Sequence, residues 1–145
     1  MKFHHQIAVF LVLGVLFAAA CTVSRDQQLA EEVVDNYHKL YNEQNYEEIF
    51  NTAHEDARRT KSKEALGLRL AEAFEKYGKH LGSELVYTKI KNINERERQI
   101  DLAYRSKFEN GTRNETFLIV ADDRKGALHS LGELSDEELE KLKSE

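Results

Sequence analysis

The sequence contains no proline and no tryptophan, and it contains a single cysteine, Cys21. One cysteine cannot form a disulfide within the chain, so the domain must be stabilised by packing alone. The formal net charge is −5. A chain without a net positive charge lacks the basic surface that attracts the phosphates of nucleic acid or an anionic membrane. We therefore expect no nucleic-acid partner.

The chain also lacks the short motifs that mark common catalytic and cofactor sites. It has no Gly-rich phosphate loop and no Gly-x-Ser-x-Gly elbow. Neither His38 nor His54 is followed by a histidine four residues later, as a zinc-protease helix requires. A pair of histidines from separate elements could still bind a metal, but solvated or hydrogen-bonded histidines are the commoner case. We therefore predict no metal and no cofactor.

The amino-terminal segment is the most informative part of the sequence. Lys2 precedes an apolar run over residues 7–17, and three alanines at residues 18–20 separate this run from Cys21. A short charged start, an apolar middle and small residues before a cleavage point are typical of a secretory signal peptide. The apolar run is too short to span a bilayer comfortably, and no stop-transfer pattern follows it.

Residues 16–21, Leu-Phe-Ala-Ala-Ala-Cys, resemble a bacterial lipobox. In such signals the cysteine thiol receives a diacylglyceryl group, and cleavage before the cysteine frees an amine that can be acylated. We therefore predict a lipoprotein signal peptide over residues 1–20, lipid attachment at Cys21 and a lipidated tether over residues 21–25. The alternative is an ordinary signal peptide with a chance cysteine.

The predicted location is the bacterial cell envelope, facing the periplasm or the exterior. Because Thr22 is not the aspartate that retains lipoproteins at the inner membrane, we expect the outer membrane where the host has two.

The first half of the predicted domain, which covers residues 26–134, has the apolar spacing of helices. Either Ser24 or Asp26 can cap the first helix, with Gln27 three residues after Ser24. Asn45 is a candidate cap for the second helix, with Glu48 three residues later. Residues 58–63 are polar and predict a loop. The three apolar stripes are Leu29, Val33, Tyr37, Leu40 and Tyr41; Tyr46, Ile49, Phe50 and Ala53; and Leu66, Leu70, Ala73, Phe74 and Tyr77.

In the second half the apolar period changes to two, which predicts strands. Asn110-Gly111 predicts a two-residue hairpin turn between the two strongest strands. That turn predicts three cross-strand pairs: Tyr104 with Phe117, Leu102 with Ile119, and Ile100 with Ala121. Further strands are expected over residues 85–93 and 127–131, and residues 135–145 are expected to form a charged C-terminal tail with a frayed turn.

Helices followed by an antiparallel meander predict an α+β fold, with N-terminal helices packed on a curved antiparallel sheet. Residues 30–46, 63–82 and 104–111 resemble segments of small exported bacterial lipoproteins with a nuclear-transport-factor-2-like, or cystatin-like, cone domain. The resemblance implies a pocket between the helices and the concave sheet face, and some relatives are isomerases or dehydratases. Relatives often end the last strand with a tryptophan, whereas this chain reads Gly-Ala-Leu-His at residues 126–129.

The candidate pocket-lining residues are Tyr37, Phe74, Tyr77, Tyr104, Phe117 and His129. The predicted concave strand face offers apolar side chains and the Tyr104 hydroxyl, but no acid that could serve as a base. We therefore expect no catalytic residue. The predicted function is a non-catalytic, membrane-anchored envelope lipoprotein whose domain binds a partner protein or a small apolar ligand. The alternatives are an isomerase- or dehydratase-like enzyme that takes its base from the helices, and a structural accessory subunit that acts through an exposed sheet face.

Overall fold

The computed structural model describes residues 23–144, and Cys21 with the predicted signal peptide lies outside this range. The chain order of the elements is α1 (Arg25–Asn42), α2 (Tyr46–Thr52), α3 (Glu55–Thr60), α4 (Lys63–Tyr77), β1 (His80–Asn92), β2 (Arg98–Phe108), β3 (Gly111–Ala121), β4 (Gly126–Leu134) and α5 (Asp136–Lys143). The strands form one antiparallel sheet in the order β1-β2-β3-β4. The predicted α+β class is confirmed. No helix between residues 23 and 144 combines the length and apolar character needed to cross a bilayer.

The helix boundaries follow local capping chemistry. The Ser24 side chain accepts a hydrogen bond from the backbone N–H of Gln27 at 3.2 Å, and Asn45 accepts one from Glu48 at 3.3 Å. Of the two candidates for the first cap, Ser24 caps α1 and Asp26 lies inside the helix; the predicted cap Asn45 is confirmed. Because Ser24 caps α1, Arg25 is already helical.

The loop predicted over residues 58–63 is wrong in its first half, because α3 continues to Thr60. His54 caps this short helix by accepting a hydrogen bond from the Asp56 N–H at 3.4 Å, and Ala57 is buried beneath it. One buried alanine produces no apolar periodicity, so the sequence pattern could not show the helix.

The β2–β3 hairpin has a different register from the predicted one. Phe108 pairs with Gly111, so Glu109 and Asn110 form the turn, and Tyr104 lies opposite Glu115 instead of Phe117. Gln44 is the one non-glycine residue with positive φ in the described range, so Asn110 does not have the positive φ that a type I′ Asn-Gly turn requires. The backbone N–H groups of Glu109 and Asn110 donate to carbonyls at the end of α4 and the start of β1, and these contacts hold the turn.

The register error is two residues, and a shift of two leaves every side chain on its predicted face. Leu102 pairs with Phe117, and Ile100 pairs with Ile119. Tyr104 and Phe117 are diagonal neighbours with ring centroids 5.8 Å apart. The predicted buried face is therefore correct, and the predicted partners on it are not.

The C-terminal segment is a helix and not the frayed turn expected for residues 135–145. Ser135 and Glu138 form a reciprocal capping box at the start of α5. Leu139 is 0 % exposed, and α5 contacts β1 and β4 on the sheet face opposite α1. In the sequence this helix reads as a charged, solvent-exposed segment, because only one of its residues is buried. The surface that Leu139 packs against is formed by strands distant in sequence, so the local pattern does not reveal it.

Candidate functional site

A groove lies between α1, α2 and the turn that joins β3 to β4. Its volume is about 240 Å³. An apolar cavity of about 150 Å³ is large enough to bind benzene, so the groove can hold a small apolar molecule. The apolar side chains that line it are Leu29, Val33, Tyr37, Leu40, Ile49 and Leu128.

The helical repeat of α1 builds one wall of the groove. Leu29 and Val33 are one turn apart on the same face and half-buried, and Leu40 continues this face. Gly126 allows β4 to approach this wall, since a Cβ atom there would lie 3.2 Å from Val33 Cγ2 and 3.3 Å from the Leu29 carbonyl oxygen. The rim is polar, with Glu32 on α1 and Arg124 on the β3–β4 turn.

An ion-pair bridge holds the turn beside the start of α1. The Arg98 guanidinium donates at 2.9 Å to Asp26 on α1, and at 2.9 Å to Asp123 on the turn. The end of the groove formed by Leu29 and Arg124 is therefore next to the amino terminus of the described chain.

A second feature is a buried, hydrogen-bonded pair of side chains, His38 on α1 and Glu115 on β3. His38 Nε2 lies 2.8 Å from Glu115 Oε2, and the two side chains are 6 % and 5 % exposed. An ionised carboxylate can only accept, so Nε2–H of His38 is the donor. The pair lies beside the aromatic core, because the His38 ring is edge-on to both Tyr37 and Phe117.

His80, at the start of β1, extends this pair into a network. Its ring stacks on His38 with centroids 3.6 Å apart and an interplanar angle of 3°. Its Nε2 lies 2.6 Å from the Ser83 hydroxyl, which lies 2.8 Å from the buried Ser106 hydroxyl. The network thus joins the first helix to three neighbouring strands.

Burial and neighbouring groups shift the pKa values of His80 and Glu115 in this network. Burial, followed by the adjacent His38, lowers the pKa of His80 to about 4 against smaller opposing effects of Glu115 and Asp35. Burial alone would raise the pKa of Glu115, but the interactions with His38, together with the Ser106 hydrogen bond and the Arg113 charge, outweigh burial and lower that pKa. At neutral pH the carboxylate is ionised and the His80 ring is neutral.

Glu115 corrects the expectation that the concave strand face carries no acid. It shares the face of Phe117 and Ile119 on β3, and it is 4 % exposed. Its period-two spacing from these apolar residues was a usable signal. The predicted register hid this signal, because it placed Phe117 opposite Tyr104 and left Glu115 outside the apolar stretch considered.

Most of the candidate pocket-lining residues lie together in the core. Phe117 packs edge-on against both Tyr37 and Tyr104, and Tyr37 stacks on Tyr41. Phe74 contacts Tyr41 at a centroid distance of 5.4 Å, and Tyr77 contacts Phe108 at 6.1 Å. Of these core aromatics, Tyr37 also lines the groove.

His129 lies apart from the other candidates, beside α2, α3 and α4. It lines a small cavity of about 20 Å³ together with Lys61 and Arg69. Its Nδ1 is buried without a hydrogen-bond partner, and burial followed by the charges of Lys61 and His54 lowers its pKa. The positive charges of Lys61 and Arg69 make the position unfavourable for a metal ion. Over residues 23–144 no group of three or more histidine, cysteine, aspartate or glutamate side chains has the arrangement of a metal site.

The two features differ in what they can do chemically. The groove is accessible and apolar, which suits binding of a ligand with little polar character. The His38–Glu115 pair has the groups for proton transfer, but neither residue lines the groove. Comparison with known proteins gives no match to a protein-family model and none to a curated protein.

Proposed function

We propose that this chain is a lipid-anchored, non-catalytic binding domain of a bacterial cell envelope, and that its groove takes a small apolar ligand. The observation that carries this proposal is the apolar groove between α1 and the β3–β4 turn, with a volume of about 240 Å³ and a polar rim. Convergent apolar walls with a few polar groups at the mouth are the usual composition of a small-molecule site.

The position of the groove supports its use close to a membrane. Ser24 caps α1 only three residues after Cys21. Three extended residues span at most about 11 Å. Leu29 follows Ser24 by about 7 Å along the helix axis. A lipid on Cys21 would therefore hold the Leu29 end of the groove near the bilayer, where apolar molecules are concentrated.

The buried polar network supports a structural role instead of a catalytic one. A catalytic base must reach its substrate within hydrogen-bond distance or through one water molecule. His38 and Glu115 are occupied by each other at 2.8 Å and are enclosed by aromatic side chains. Acid–base chemistry would require this part of the core to open.

Binding can be tested with 1-anilinonaphthalene-8-sulfonate, an apolar fluorescent probe with an anionic group. We expect saturable binding by the native protein. Val33→Gln, which places an amide in the groove wall, should weaken binding by about tenfold, since burying an unpaired amide costs about 1–3 kcal/mol. Leu68→Gln is the matched control, because Leu68 is 67 % exposed on α4 and lies away from the groove. Equal affinities for the two variants would contradict the groove as the binding site.

Anchoring can be tested separately with Cys21→Ser in a bacterial host. The native protein should remain with the membranes after a salt wash, and the variant should become a soluble exported protein or stay uncleaved. A variant that is cleaved and still resists the salt wash would refute the lipid anchor. Copurification of the lipidated protein from its native membrane would then identify what occupies the groove.

A further inference from the structure

The outer edge of β1 is a long unpaired strand edge. β1 has 13 residues and pairs only with β2 among the described strands, so its other edge has no strand beside it. Such an edge presents a row of free N–H and C=O groups that can pair with another strand. Ile90 on this strand is 39 % exposed.

A β-bulge sets the chemistry of this edge. The pairing with β2 shifts between Leu85 and Tyr87, which reverses the alternation of side chains along β1. Glu84 lies opposite Arg105, and Lys89 lies opposite Asp101. The β2 residues 101 and 105 share one face because they are four apart, so Glu84 and Lys89 also share that face.

Neither Glu84 nor Lys89 has an ion-pair partner within the described part of the chain. Glu84 and Lys89 are both exposed, and neither lies within 4 Å of an oppositely charged group in the described part of the chain. The nearest cross-strand candidates have other partners, since Arg105 contacts Glu140 at 3.8 Å and Asp101 contacts Lys91 at 3.9 Å.

We propose that β1 pairs antiparallel with β1 of a second copy of this chain, with Glu84 opposite Lys89 of the second copy, so that the two sheets become one continuous sheet. Twofold symmetry makes every contact occur twice, so Lys89 also lies opposite Glu84 of the second copy. The symmetry axis then passes between Val86 and Tyr87, at the bulge.

The faces of the strand agree with this register. Leu85 lies opposite Thr88 of the second copy, and Ser83 lies opposite Ile90. All four of these residues are on the face that packs against α1, because their β2 partners are Tyr104, Leu102, Ser106 and Ile100. The helices of both copies consequently lie on the same side of the joined sheet. Both amino termini can then face one membrane.

The charges also discriminate between registers. A symmetric register centred on Lys89 would place like charges directly opposite each other, which is unfavourable. Lysine on a free edge commonly prevents unwanted strand pairing. Here Glu84 and Lys89 are spaced so that opposite charges face each other when a second β1 strand pairs with this edge. An unrelated strand would leave these charges unpaired, so the edge favours an identical strand.

A charge-swap experiment tests the pairing in the full chain, purified in a density-matched nonionic detergent and studied by sedimentation equilibrium. The native protein should form a dimer. Glu84→Lys and Lys89→Glu should each weaken dimerisation by about tenfold, because each creates two like-charge contacts. The double variant E84K/K89E should restore the native dimer, since it exchanges the charges and keeps the pairing.

Glu72→Lys is the matched control, because Glu72 is exposed on α4, away from the sheet edge. It should dimerise like the native protein. A native protein that remains monomeric at all concentrations overturns the proposal. So does an equal effect of Glu72→Lys and Glu84→Lys, or a double variant as weak as either single variant.

Discussion

Replacing Glu115 with alanine should lower the free energy of unfolding by about 2–3 kcal/mol at pH 7, because removal of the carboxylate leaves the buried Nε2–H donor of His38 without an acceptor. The two side chains are 5 % and 6 % exposed, so water cannot replace the lost carboxylate without local opening. The His80 ring stacks face to face on the His38 ring, so it cannot replace the lost acceptor at His38 Nε2. The expected loss is a large part of a typical stability of about 5–15 kcal/mol.

Urea unfolding followed by far-ultraviolet circular dichroism measures this loss. Glu115→Gln keeps an oxygen that can accept from His38 and should cost less, about 1–2 kcal/mol. Glu72→Ala is the surface control, since Glu72 is exposed on α4 and should change stability by at most about 0.5 kcal/mol.

A double-mutant cycle with His38→Ala separates the pair from the rest of the core. Residues in direct contact usually show a coupling of about 0.5–3 kcal/mol. The reasoning is refuted if Glu115→Ala costs no more than Glu72→Ala. It is also refuted if the effects of the two single variants simply add.

Three further predictions concern the core, the C-terminal helix and pH. Phe117→Ala should cost about 3–5 kcal/mol, because Phe117 is 2 % exposed at the centre of the aromatic core; a loss below about 1 kcal/mol in urea unfolding would contradict that burial. Leu139→Ala should cost about 2–5 kcal/mol, whereas Leu68→Ala, at a position 67 % exposed, should cost far less; equal losses would show that α5 does not pack on the sheet. The free energy of unfolding should fall by about 1–2 kcal/mol as the pH drops from 6.5 towards 4. The folded-state pKa of His80 is lowered to about 4, so the unfolded chain binds the proton first. The full pKa shift would correspond to about 3 kcal/mol, and solvent screening of this half-buried ring reduces that value. His80→Phe should flatten this part of the stability curve, and an unchanged slope between pH 6.5 and 4 would contradict it.

Much of the fold was predictable because local rules decide it. Ser24 and Asn45 were identified as candidate caps from their side chains and from the residues that follow them, and both accept the expected backbone hydrogen bonds. Strand alternation placed Ile100, Leu102 and Phe117 on the buried face, and these residues are at most 2 % exposed. Periodicity assigns a face without requiring knowledge of the partner strand.

The hairpin register was not predictable from its turn residues. Asn110-Gly111 is a strong signal for a two-residue turn, but the actual turn is Glu109-Asn110. Backbone contacts from residues 77 and 79 hold these two residues, and such contacts depend on where α4 ends. A tertiary contact therefore overrode a local preference.

The candidate site depends still more on tertiary structure. His38 and Glu115 are 77 residues apart in sequence, and neither position carries a motif. The groove needs α1 beside the β3–β4 turn, a juxtaposition that Arg98 secures by binding Asp26 and Asp123 together. Composition and spacing contain no information on such distances.

The sequence by itself determined the α+β class, the helix caps and the buried face of the strands, because backbone hydrogen bonding and side-chain alternation act over a few residues. It also contains the whole basis for the predicted anchor at Cys21. Only the tertiary structure decided the register, the packing of Leu139, the burial of Glu115 against His38 and the groove beside Gly126. Each of these depends on the desolvation or close approach of groups that are distant in sequence, and such contacts exist only once the chain has folded.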